Sequence, residues 1–213
     1  MRLSLQVALA ATALIVVCGV ALAYLLAMKS FRGKEMLDMF LTLPLVLPPT
    51  VTGFFLVVIF GRSGLVGKTL FEITGWTVMF TWQAAVLASF VVALPLMIKT
   101  VRAAIESVDR NLINASYTLG RSKLETALRV VLPLARKGII AGTVLSFARA
   151  MGEFGATLML AGNIPGRTDT MPIAIYSMAG SGEWTRSAGM VAFFTAVSGA
   201  LLYIANVYSR RTD

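Results

Sequence analysis

LQVALAATALIVVCGVALAYLLA, residues 5–27, is an uncharged apolar run near the start of the chain. Its length decides the fold class, because a helix needs about 20 apolar residues to cross the hydrocarbon core of a bilayer. Three more uncharged stretches of similar length follow at residues 39–60, 78–98 and 188–208, and a fifth, 138–161, carries only Arg149 and Glu153. The whole chain agrees, with 57% hydrophobic and 14% charged residues and a mean hydropathy of +0.80, against about 25% charged in an ordinary soluble domain. The expected fold class is all-α integral membrane, with five spans in one domain over residues 1–213. Residues 5–27 read as a true span, since the run exceeds a leader's apolar region and no small-residue cleavage site leads into a polar mature chain.

The net charge of +9 does not point to nucleic acid, because the basic residues flank the apolar stretches. Thirteen of them fall on one side of a five-span chain and five on the other. The rich side holds Lys29, Arg32 and Lys34, the segment from Lys99 to Lys137, and Arg210 and Arg211; the poor side holds Arg2, Arg62, Lys68, Arg167 and Arg186. Basic residues concentrate in cytoplasmic loops. The amino terminus is therefore expected outside and the carboxyl terminus in the cytoplasm, and residues 99–137 become the main cytoplasmic loop. Histidine is absent and Cys18 is the single cysteine, so an intrachain disulfide is excluded and metal or triad chemistry is not expected. Pro44, Pro48, Pro49 and Pro95 interrupt the apolar stretches, as packed kinks or as hinges lining a pathway.

The loop reads as two short helices meeting at a turn. Asp109 suits the cap of a helix running to about Leu119, and Gly120 suits the left-handed position after it. Ser122 and Glu125 have the spacing of a capping box. They would start a second helix over residues 123–131, closed by Pro133, with Leu124, Leu128 and Val131 on one face.

The same segment, Asn114-Ala115-Ser116-x3-Gly120-x9-Val130-x-Leu132-Pro133, resembles the EAA motif (E-A-A-x3-G-x9-I-x-L-P) of binding-protein-dependent ABC importer permeases. The spacing matches throughout; Asn114, Ser116 and Val130 depart from the pattern in residue type. The match falls on the side that charge already assigns to the cytoplasm. Residues 43–49 (LPLVLPP), 147–155 (FARAMGEFG) and 162–172 (GNIPGRTDTMP) are similar to molybdate permeases, with tungstate and sulfate or thiosulfate permeases as alternatives.

The resemblance implies a type I importer permease-like bundle of five transmembrane helices with a cytoplasmic coupling helix. It implies multi-pass insertion in the cell inner membrane and transport by alternating access. The coupling residues would be Asn114, Ala115, Ser116, Gly120, Ser122, Leu124, Val130, Leu132 and Pro133, docking in a cleft of a separate ATPase that binds ATP and Mg; no cofactor and no catalytic residue are expected in this chain. A homodimer would present two such loops to two ATPases, and the outer segment 162–186 would receive an oxyanion-binding protein. Membrane lipid completes the expected partners.

Residues 61–69 (GRSGLVGKT) look like a phosphate-binding loop, but five residues instead of four separate Gly61 from Gly67, and no strand precedes them. They read as an ordinary polar loop. Arg149 and Glu153 are four apart, an intramembrane pair on one helix face. The pair reads as structural, with an oxyanion contact at Arg149 as the alternative. Gly152 and Gly155 are expected to allow close helix packing. The absence of an internal repeat counts against many secondary transporters, with a nucleotide-independent secondary transporter subunit as a further alternative, and no convergent polar cluster marks a membrane enzyme.

Overall fold

The computed structural model describes the backbone of residues 2–210 and the side chains of residues 2–200, 202 and 203. Arg211, counted above on the basic-rich side, lies outside the described residues, as does the Arg210 side chain. Every regular element among the described residues is helical.

Two helices form the centre, α1 (Arg2–Met28) and α5 (Trp82–Glu106). Both are long and apolar enough to cross a membrane unbroken. Helix α1 buries Ala8, Ala11, Thr12, Ile15, Gly19 and Ala23, a line at three- and four-residue spacing made mostly of small side chains. Small residues let helices approach closely where no water drives them together. At Gly19 a Cβ would come within 2.7 Å of Met97 Cγ on α5, so the contact tolerates no larger residue without a shift. Helix α5 begins at Thr81, whose side chain accepts the Ala84 N–H (3.2 Å). It is buried along most of its length and packs against α1, against α2 (Lys34–Val46) and against α9 and α10 (Arg136–Met151, Gly155–Ala161).

The other stretches depart from simple spans. Residues 39–60 are divided between α2 and α3 (Pro49–Phe60), with the break at Leu47–Pro48. Pro49 falls in the first turn of α3, where a missing N–H loses no helical partner. Helix α5 starts four residues later than residue 78 and continues through Glu106, so Lys99 and Arg102 lie on a helix and not in a loop. Residues 138–161 are interrupted at residues 152–154, between α9 and α10. The last long helix, α12 (Trp184–Arg210), contains residues 188–208.

Long-range polar contacts show which segments share an end of the bundle. At one end Ser4 Oγ on α1 accepts the Met171 N–H (2.7 Å) of α11 (Met171–Gly180). At that end too, Phe80 N–H reaches Leu160 O at the end of α10. At the other end Asp38 on α2 meets Lys99 and Arg102 on α5. The glycine-rich turn 61–69 folds back on the end of α3 and leads into a short helix, α4 (Gly67–Thr74), so the expected polar loop is partly helical.

Candidate functional site

The segment between α5 and α9 is a compact helical hairpin. Asp109 caps α6 (Arg110–Thr118) by accepting the Asn111 N–H at 2.8 Å. Gly120 turns the chain with φ 77°, a left-handed conformation that costs a residue with a Cβ roughly 1–2 kcal/mol. Ser122 then caps α7 (Lys123–Thr126): its Oγ accepts the Glu125 N–H (3.3 Å), while Glu125 Oε2 accepts the Ser122 N–H (2.9 Å). The Ser122 backbone and hydroxyl hydrogen bonds hold the Glu125 carboxyl below the usual carboxylate range.

Beyond α7 the helix widens. Over Ala127–Val131 it forms a π-turn in which Leu132 N–H bonds Ala127 O, five residues back. It then continues as α8 (Leu132–Leu134). Pro133 therefore does not end the helix as expected; it sits in the first turn of α8, where its ring is tolerated. The chain bends instead at Ala135, by 72° into α9.

Ser116 Oγ and Thr126 Oγ1 lie 2.9 Å apart, joining the two arms of the hairpin. Ser116 is buried and Thr126 is fully sealed. Thr126 escaped the sequence reading, although a hydroxyl ten residues after Ser116 and on the inner side of the second helix was a usable signal. Val131 is buried, and Val130 and Leu132 are half-buried. Asn114, Ala115, Gly120, Ser122, Leu124 and Pro133 are exposed, and so is Leu119 at the turn. Leu124 and Leu128 do not join Val131 in the core: they are 69% and 57% exposed and line a groove against α1.

An ion network also missed in the sequence ties α2 to α5 beside this hairpin. Asp38 accepts from Lys99 Nζ (2.9 and 3.1 Å) and from Arg102 Nη1 (2.9 Å), and Arg102 Nε donates to Glu106 (2.8 Å). Burial works against ionisation of Asp38, but the hydrogen bonds and charge of Lys99 and Arg102 outweigh it and hold the carboxyl below its usual range.

Arg149 and Glu153 pair at 2.8 Å, with the carboxylate sealed and the guanidinium about one-third exposed (1% and 31%). They do not share a helix face, because α9 ends at Met151 and Glu153 lies in the break. Its Oε1 accepts the Ala156 N–H (2.9 Å) of α10. One carboxylate thus meets the guanidinium that ends α9 and an otherwise unpaired donor that begins α10. The flanking glycines differ: a Cβ added at Gly155 would crowd Pro49 and Thr50 of α3 at 3.0 and 3.2 Å, whereas Gly152 is exposed and a Cβ there would meet nothing nearer than Ala148 O at 3.7 Å, against the expectation of close packing there.

These features can be set beside known proteins. A family model described as "Binding-protein-dependent transport system inner membrane component" matches residues 15–212. The molybdenum transport system permease protein of Escherichia coli K12 is 46% identical over 176 residues, covering 83% of this chain and 77% of that one. Its namesake in Azotobacter vinelandii is 36% identical over 204 residues, covering 94% and 90%. Among solved structures, the inward-facing MetNI methionine ABC transporter superposes with a TM-score of 0.77 at 15% identity, over 100% of this chain and 94% of that one. A bacterial alginate ABC transporter in complex with an alginate-bound periplasmic protein gives a TM-score of 0.81 at 17% identity, over 100% and 77%. At such identities the structural likeness concerns the fold, which is that of ABC importer permeases.

Proposed function

We propose, from the premise that this chain belongs to the binding-protein-dependent transport system inner membrane component family, that it is the permease subunit of an ATP-driven molybdate importer. The observation that carries the reading is the hairpin of residues 109–134. It is a locally capped element that presents Asn114, Ala115 and Leu119 at one end of an apolar helical bundle. Its arms are locked together by Ser116 and Thr126, so a push on its exposed face passes to α5 and α9 with little local give. Molybdate as cargo is supported by the similarity to molybdenum permeases.

In this reading two copies of the chain form a pathway of ten spans. The unbroken helices α1 and α5 supply one span each, the divided pairs α2–α3 and α9–α10 one each, and α12 the fifth. The hairpin faces the cytoplasm and docks on a separate ATPase that holds ATP and Mg, two copies per dimer; this chain does no covalent chemistry. The end carrying α11 faces outward and receives the loaded oxyanion-binding protein. ATP binding closes the ATPase pair, the hairpins follow, and the spans open outward; hydrolysis resets them. The Arg149–Glu153 pair acts as a strut at the break between α9 and α10, since Glu153 meets the guanidinium on one side and caps α10 on the other.

The test is ATP turnover by the reconstituted complex as a function of the oxyanion loaded on its binding protein. Stimulation by molybdate above that by tungstate or sulfate is expected. A stronger response to sulfate would reassign the cargo, and no response to any oxyanion would overturn the importer reading.

A further inference from the structure

The coupling hairpin and the second half of α1 enclose a groove of about 720 Å³. From Val16 to Met28 its α1 wall runs thirteen residues, roughly 20 Å at the helical rise per residue, slightly more than one leaflet of a hydrocarbon core about 30 Å thick. Val16, Val17, Val20 and Ala21 line it from α1, and Leu124 and Leu128 line it from the hairpin. Val17 is 72% exposed and Leu124 69%, so this chain leaves the apolar wall uncovered.

Among the described residues the polar liners are Tyr24, Lys29, Tyr117 and Lys123, and no acidic one lines the groove. Among the described residues neither Lys29 nor Lys123 has an ion-pair partner. The acids at this end are committed elsewhere: Asp38 and Glu106 are ion-paired, and Asp109 and Glu125 cap helices. Glu35 alone remains among the described residues, too little to neutralise the two lysines from a second copy. A water-soluble partner cannot cover Val16 to Ala21 at membrane depth. An acyl chain bearing an anionic headgroup satisfies both halves of the groove.

We infer that this groove holds one anionic phospholipid, its acyl chain along Val16–Ala21 and its phosphate between Lys29 and Lys123, so that a lipid wedges α1 against the coupling hairpin. The inference rests on the reading of this end as the cytoplasmic interface. Each lysine near an anionic headgroup favours binding by roughly fivefold, so the pair favours it on the order of twentyfold.

The experiment uses the full chain with Trp76, Trp82 and Trp184 changed to Phe and Leu128→Trp as sole reporter. It is placed in nanodiscs of phosphatidylcholine doped with either chain-brominated phosphatidylglycerol or chain-brominated phosphatidylcholine at equal mole fraction. The glycerol lipid should quench the reporter at a far lower mole fraction, approaching the roughly twentyfold preference, and Lys29→Gln with Lys123→Gln should erase that preference while leaving quenching by the choline lipid unchanged. Equal quenching by both lipids would mean an ordinary lipid-facing wall. No quenching by either would mean that protein covers the groove; both results overturn the inference. Val17→Trp serves as the reporter if Leu128→Trp disturbs the hairpin. Since no ATP or oxyanion is involved, failure of the transport reading leaves this outcome untouched, and two-sided thiol labelling tests the orientation separately.

Discussion

Ser116 and Thr126 share a hydroxyl-to-hydroxyl hydrogen bond of 2.9 Å, closed to solvent, between the two arms of the hairpin. Removing one partner strands the other, at a cost of about 1–3 kcal/mol. Thr126→Val should therefore weaken the hairpin, and Ser116→Ala combined with Thr126→Val should recover most of the loss. Limited proteolysis between Leu119 and Lys123 reads the difference; additive losses in the double variant would show that the bond is not what joins the arms.

The Arg149–Glu153 pair makes a sharper demand. Arg149→Met leaves a sealed carboxylate without its counter-charge, which costs about 3–5 kcal/mol. Adding Glu153→Gln should restore a monodisperse, thermally stable protein, because the amide oxygen still accepts the Ala156 N–H and carries no charge. If the well-folded double variant then fails to transport, Arg149 contacts the oxyanion and the strut reading is wrong.

Asp38 predicts a pH dependence. Its folded carboxyl titrates below its unfolded value, so its stabilisation is complete above the unfolded value of about 3.9. It disappears as pH falls through the lowered folded value. Thermal midpoints measured from about pH 7 down to about pH 3 should fall in wild type more than in Asp38→Asn, whose loss of about 1 kcal/mol should already be present at neutral pH. Parallel curves for the two proteins would remove Asp38 from the contact between α2 and α5.

How much of this was legible depended on how far each signal reached along the chain. Asp109, Gly120 and the Ser122–Glu125 box act within three or four residues, and each sits where local chemistry places it. Hydropathy found the apolar material but not its breaks: it averages over Gly152 to Phe154, where the backbone leaves the helix and Glu153 recruits α10. Pro133 misled because the π-turn before it lets the helix pass through a residue that ordinarily stops one. Asp38 and Lys99 are 61 positions apart, and nothing local to either announces the other. Leu124 and Leu128 shared a face with Val131 on an ideal helix, yet the widened turn sends Val131 inward and leaves the two leucines on the groove.

Orientation is open to a direct check. With Cys18→Ala as background, single cysteines at Ser63 and Ser107, both exposed, should react with an impermeant thiol reagent from opposite sides, Ser63 from outside and Ser107 from the cytoplasm. Labelling of both from one side would break the five-span topology.

Whether the hairpin transmits ATP-driven motion to the spans is measured most directly at Gly120. A Cβ added at this left-handed position would meet nothing within 4 Å, so Gly120→Val acts chiefly through the backbone, by roughly 1–2 kcal/mol, while Gly120→Asn, a residue at ease in that conformation, should be mild. The measurement is ATP-dependent molybdate uptake into proteoliposomes holding the permease, its ATPase and the loaded binding protein. Uptake should require ATP in wild type, persist in Gly120→Asn, and fall about tenfold or more in Gly120→Val with the spans still inserted, the loss expected from about 1.4 kcal/mol of misplaced coupling. Uptake that proceeds without nucleotide, or that is undiminished in Gly120→Val, would contradict a coupling role for the hairpin.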